Sequence, residues 1–162
     1  MSRIIRISVL FMLLLPASSL PGGAPVEKPA CAQNQKPAWL DYDAALAAAK
    51  NDNKPVLIFF HGKDCRKCEV LEQQGFDRPE VACYLNRKFA AAKVMEPDRP
   101  DLKQKYRVSS YPTVWFLTPE AREIDFFIGY VKPEKLTLIL NYVGDGAYKE
   151  KSFAEYEKER EG

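Results

Sequence analysis

Two cysteines three residues apart, Cys65 and Cys68, stand in the stretch from Val56 to Glu72 and set the chemistry this chain could do. Val56, Leu57, Ile58, Phe59 and Phe60 run without a polar residue, between Pro55 and His61-Gly62, and read as a central strand covered on both faces. The cysteines after it fall at the start of a helix. There the unpaired backbone N–H groups and the helix dipole stabilise a thiolate on Cys65. Cys68 follows about one turn on, close enough to close a small disulfide ring. Lys63, Arg66 and Lys67 add positive charge that favours the Cys65 thiolate further. This is the layout of a thiol–disulfide exchange site. A Cys-x-x-Cys pair can also be half of a zinc site, with His61, Cys31 and Cys83 as the conceivable further ligands. The chain has no second such pair and one histidine only, so exchange is the better reading. His61 either tunes Cys65 from the connecting loop or sits exposed or hydrogen-bonded at the strand end. Cys31 and Cys83 could bridge tether and domain, or Cys83 could be a partly buried thiol; we expect no bridge.

The elements that must position this site can be read in chain order. Leu20 to Pro37 carries six prolines and glycines among few apolar residues and reads as a tether. Asp41 is placed to cap a helix with Tyr42, Ala45, Leu46 and Ala49 on one face, stopped by Asn51 to Pro55. After the cysteine helix, Gly75 is expected to break the pattern, and Asp77-Arg78-Pro79-Glu80 to cap a new helix facing Val81 and Leu85 inward. Phe89 to Met95 reads as a second strand, Leu102 and Tyr106 as a short helix. Val114 to Leu117 and Glu123 to Tyr130 read as an antiparallel pair. Pro133 opens an amphipathic helix through Val143, ended by Gly144-Asp145-Gly146, and the charged remainder reads as a surface helix or tail. The fold class is α/β: a small mixed sheet flanked by helices. The organisation is a segment 1–19, a tether 20–37, a domain 38–143 and a tail 144–162.

Composition is that of a soluble globular protein, 46% hydrophobic and 28% charged. The net charge of +2 comes from Arg3 and Arg6, the only charged residues before Leu20. Without them the chain is balanced, which gives no electrostatic case for nucleic acid or an anionic membrane. Ile7 to Leu15 is about half of the roughly 20 apolar residues that span a bilayer, and Ala17-Ser18-Ser19 follows it. We read residues 1–19 as a secretory signal peptide, which places the mature protein in the periplasm or otherwise outside the cytoplasm. The alternative is an N-terminal membrane anchor. Nothing in the sequence calls for an oligomer, and a monomer is expected.

The Cys65-x-x-Cys68 pair, Tyr111-Pro112-Thr113, and Gly129 ahead of Lys132-Pro133-Glu134 resemble the thioredoxin superfamily over residues 38–143. The pattern is most similar to exported bacterial thioredoxins, including the C-terminal domain of the DsbD-type transmembrane reductase and the periplasmic thioredoxins of sulfur-oxidation clusters. The segment Tyr142 to Phe153 resembles the second group. The resemblance implies Cys65 as the attacking nucleophile and Cys68 as the resolving thiol. It makes Pro112 a cis-proline beside the dithiol and the Tyr111 backbone a contact for the substrate chain. Glu72, four residues after Cys68, would accept or relay the Cys68 proton. No cofactor beyond the redox-active Cys65–Cys68 pair is implied. The implied partners are protein disulfides and a membrane electron donor of the DsbD or CcdA kind. A disulfide-forming oxidase or isomerase is the alternative within this chemistry, and a non-catalytic thioredoxin-fold binding module the alternative outside it. Three positions depart from the family: Asp64 replaces the tryptophan before the first cysteine, Phe59 replaces a buried aspartate, and Arg66-Lys67 stand between the cysteines.

Overall fold

The computed structural model describes residues 35–161. The signal-peptide reading, nearly all of the tether and Cys31 lie outside the described residues. From Tyr42 onward the order is α1 (Tyr42–Asp52), β1 (Val56–His61), α2 (Arg66–Leu71) continued by a π-helical turn (Glu72–Phe76), and α3 (Pro79–Lys88). β2 (Ala90–Met95), α4 (Pro100–Lys105), β3 (Thr113–Leu117), β4 (Glu123–Ile128), α5 (Pro133–Gly144) and α6 (Phe153–Glu161) follow.

The sheet order is β2-β1-β3-β4, with β1 parallel to β2 and antiparallel to β3, and β3 antiparallel to β4. This is the mixed α/β sheet expected. β1 is central and buried along its whole length, as its unbroken apolar run requires. Its alternating side chains serve two cores. Leu57 and Phe59 point with Val114 and Phe116 to the face covered by α2, α3, α5 and α6. Val56, Ile58 and Phe60 point with Trp115 to the face covered by α1 and α4. Beyond β2 the chain adds a bridge, Leu40 to Ala92, so that edge is partly capped. β4 leaves Phe126 and Ile128 about half exposed.

Several local expectations meet a different outcome. Gly75 does not end the cysteine helix. The chain continues through the π turn, closed by the Asp77 N–H donating to the Glu72 carbonyl at 2.8 Å. Gly75 sits there so close to α5 that a Cβ would come within 2.7 Å of Leu136 Cδ2. Asp77 does not cap α3: Arg78 holds the cap position, and the Asp77 carboxylate accepts from Lys36 Nζ at 2.6 Å. Asp41 does occupy the α1 cap position but makes no side-chain cap bond. Cys83 is disulfide-bonded rather than a thiol, which corrects the expectation of no bridge, and Cys31 lies outside the described residues. The charged C-terminal segment is a helix held against the core. Tyr156 is 4% exposed, its ring packs on Tyr142, and Lys135 of α5 pairs with Glu157.

Candidate dithiol site

β1 delivers the chain to the site and α2 carries it away. Between them Gly62, Lys63 and Asp64 form a tight connection in which Asp64 adopts a left-handed φ of 51°. Aspartate enters that region more readily than most residues, whereas a tryptophan there would be strained. This accounts locally for the first departure from the family pattern. Cys65 is the N-cap of α2, and its Sγ lies 3.2 Å from the Cys68 N–H, which donates to it. Cys65 and Cys68 form a disulfide with their Cα atoms 5.3 Å apart. The two sulfurs differ in access. Cys68 is fully buried within the α2 face core, while Cys65 is only half-buried. Lys63, Arg66 and Lys67 are exposed around the pair, and Arg66 is turned to Glu69 at 3.1 Å.

The Tyr111–Pro112 peptide bond is cis, as the resemblance implied, and a second cis bond precedes Pro97. Thr113 pairs with Phe60 in the β1–β3 register, which sets Tyr111-Pro112 beside His61-Gly62. The contact is tight: a Cβ on Gly62 would lie 2.8 Å from Tyr111 Cδ2. The Tyr111 side chain also lines a pocket of about 230 Å³ with Phe60, Val94, Met95 and Pro97, and Lys103 Nζ stands 5.5 Å from its ring centroid. On the other side, the Gly129 N–H donates to the Pro112 carbonyl at 2.8 Å, bringing the exposed Ile128 and Tyr130 alongside. Burial pushes the Tyr111 phenol above its ordinary range, with Glu96 adding to the effect.

Glu72 opens the π turn one helical turn after Cys68, its N–H donating to the Cys68 carbonyl. Lys93 Nζ donates to both of its oxygens, at 2.8 and 2.7 Å. His61 Nε2 lies 4.0 Å from Glu72 Oε2. Phe59, where the family carries its buried acid, instead packs with Trp39 and Phe76, with Lys93 Nζ 5.8 Å from its ring centroid. Sequence reasoning singled out Glu72 but missed Lys93. The signal was present: Lys93 is the single charge in the strand Ala90–Met95, and a charge half-buried there needs a partner. Among the described residues, no group of three or more histidine, cysteine, aspartate or glutamate side chains is gathered as a metal centre would need.

A family model described as thioredoxin-like domain matches residues 42–144, and the chain belongs to that family. A rice (Oryza sativa subsp. indica) thioredoxin H-type protein is 32% identical over 107 residues, covering 64% of this chain and 81% of its own. The thiol:disulfide interchange protein DsbD 2 of Pseudomonas aeruginosa is 28% identical over 86 residues, 51% of this chain and 15% of that one. Among solved structures, a thioredoxin from Thermus thermophilus aligns with a TM-score of 0.62 at 28% identity, covering 72% of this chain and 94% of that one. The chain spans 12% of the length of the first curated relatives it matches. A thioredoxin-type fold presenting a Cys-x-x-Cys disulfide has the geometry for thiol–disulfide exchange.

Proposed function

From this membership and the asymmetry of the dithiol, we propose that the protein is an exported reductase of protein disulfides. The observation that carries the reading is the pairing of a reachable Cys65 with a buried Cys68 at the opening of α2. In the reduced protein the Cys65 thiolate attacks one sulfur of a substrate disulfide. The substrate S–S bond breaks, a Cys65–substrate disulfide forms, and the other substrate sulfur leaves as a thiolate. Cys68 then loses its proton and attacks Cys65 Sγ, releasing the second substrate thiolate and closing the Cys65–Cys68 disulfide. Two electrons pass from the dithiol to the substrate.

Pro112 and the Tyr111 backbone form the edge along which the substrate chain docks, and Glu72 takes the Cys68 proton. Export rests on the reading of residues 1–19. Outside the cytoplasm the oxidised pair needs an electron supply, and a membrane donor of the DsbD or CcdA kind fits the likeness to DsbD 2.

A redox titration with the thiols counted by alkylation and mass tests direction. A potential of about −270 mV is expected for a reductant, and one of about −120 mV would overturn that direction in favour of an oxidant. Cys65→Ser should abolish exchange, while Cys68→Ser should accumulate a mixed disulfide with substrate. A wild-type pair that never cycles sinks the oxidoreductase reading itself.

A further inference from the structure

We propose that His61 is the second acceptor in a proton relay, receiving through Glu72 the proton that Cys68 gives up; this rests on the exchange reading above. The cluster lies on the α2 face of the sheet. Phe59 and His61 alternate onto the same side of β1, Lys93 is the register partner of Phe59, and Glu72 comes from the helix one turn past Cys68.

The hydrogen bonding fixes the imidazole. Its Nδ1 lies 2.8 Å from the Gly62 carbonyl oxygen, which can only accept, so Nδ1 carries a proton. Nε2 is therefore the site that gains or loses the second proton, and it is the nitrogen that lies 4.0 Å from Glu72 Oε2. A shift of about 1 Å closes that gap to hydrogen-bond length, and catalytic contacts commonly tighten in this way.

Glu72, which the exchange reading makes the first acceptor, is poorly placed to keep the proton. Lys93 donates to both of its oxygens, so a proton resting on Glu72 disrupts two charge-assisted bonds and leaves the half-buried Lys93 ammonium without its counter-charge. Passing the proton to Nε2 restores the Glu72–Lys93 pair. The sequence is Cys68 thiol plus Glu72 carboxylate to Cys68 thiolate plus Glu72 carboxylic acid, then Glu72 acid plus neutral His61 to Glu72 carboxylate plus imidazolium. One proton moves twice, and the thiolate goes on to attack Cys65 Sγ. The His61 side chain is 10% exposed and that of Glu72 20%, so the pair meets solvent at the end of β1, and the imidazolium returns its proton to water there. The charged groups that meet the ring are Glu72 from the helix and Lys93 through it from β2. Glu96, whose N–H donates to the His61 carbonyl, turns its carboxylate to Lys103 at 3.0 Å. His61 touches neither sulfur and acts only through Glu72.

The chromogenic disulfide dithiobis-nitrobenzoate separates the two steps on the full reduced protein. The first thiolate release reports Cys65 attack; the second reports resolution by Cys68. We expect His61→Gln to slow the second phase by about tenfold or more at neutral pH. It should change the pH profile of that phase and leave the first phase unchanged. Glu72→Gln should slow the same phase, and the double variant should be no slower than the slower single variant, because the two groups act in series. His61 is the only histidine, so its ring nitrogens in the wild-type protein are assigned without ambiguity, and Nδ1–H is the expected neutral tautomer. An Nε2–H tautomer, an unchanged pH profile in His61→Gln, or additive effects of the two changes overturn the relay. If Glu72→Gln slows resolution and His61→Gln does not, the relay fails while the exchange mechanism stands. If wild type shows no second phase, the exchange reading fails with it.

Discussion

Gly62→Ala is the sharpest perturbation of the join between the dithiol loop and the cis-proline segment. An added Cβ would lie 2.8, 2.9 and 3.1 Å from Tyr111 Cδ2, Cγ and Cβ. Carbon atoms prefer about 3.5–4.0 Å, so all three contacts are overlaps. The Tyr111 Cβ is fixed by the backbone, and Cγ and Cδ2 escape only by a χ1 rotation that takes the ring out of its pocket beside Pro97 and Lys103. Relief requires the ring to leave that pocket or the backbone at Tyr111 to move, and that backbone is held by Pro112 and by Thr113, whose Oγ1 donates to the Ser110 carbonyl at 2.7 Å. Overpacking of this kind costs about 1–3 kcal/mol. Gly62 has no left-handed φ, so alanine should return about 0.4–1 kcal/mol through the unfolded chain. The expected net loss is about 1–2 kcal/mol.

Urea unfolding of the oxidised protein measures that loss, and a Tyr111→Ala background supplies the control. With the ring gone only the Cβ contact at 3.1 Å remains, so the cost of Gly62→Ala should fall to about 0.5 kcal/mol or less. Exchange should divide as well. Reduction of a folded protein disulfide should slow, because the proposed mechanism docks the substrate chain on the displaced Tyr111-Pro112 edge, while reaction with a small chromogenic disulfide should not. Equal cost of Gly62→Ala in both backgrounds, or a cost below about 0.5 kcal/mol in wild type, would refute the argument from the overlap.

Two further predictions concern the body of the fold. Tyr156→Ala should cost about 3–5 kcal/mol in chemical unfolding without altering the dithiol potential, because Tyr156 is 4% exposed against Tyr142 and Val143. At alkaline pH the protein should lose stability. Burial raises the phenols of Tyr84, Tyr106, Tyr142 and Tyr148 above their ordinary value. The unfolded chain ionises them first, so this contribution is complete below about pH 10 and declines above it, and near-ultraviolet phenolate absorbance should rise together with unfolding.

The sequence made β1 and α2 legible because one long apolar run and one cysteine pair each admit few structures. The sheet class was legible for the same reason, and so was the α1 face through Tyr42, Ala45 and Ala49. What was hidden depends on contacts between elements. Gly75 reads as a breaker in isolation, yet α5 presses Leu136 against it and the π turn absorbs the extra residue. Asp77 has the spacing of a capping residue but finds Lys36, 41 positions away. α6 carries only Phe153 and Tyr156 among charges, too few to signal a buried face, although both rings meet Tyr142. At the site, the cysteines, Pro112 and Glu72 could be named from the chain alone. The partner of Glu72 could not, because Lys93 reaches it across the sheet.

The exchange of a strand acid for Phe59 is therefore more than a loss of a proton acceptor. Phe59 fills its place with Trp39 and Phe76, in the same buried cluster as Cys68. Lys93, the register partner of Phe59, then has no carboxylate across the strand pair and extends over the Phe59 ring to the helix. Glu72 meets it there, 20% exposed rather than sealed in the core. A carboxylate at the boundary can trade protons with solvent through a neighbour, which an acid enclosed beneath the helix does only slowly. Moving the acid from strand to helix thus puts the proposed proton route at the end of β1, where His61 stands, while Cys68 itself stays buried.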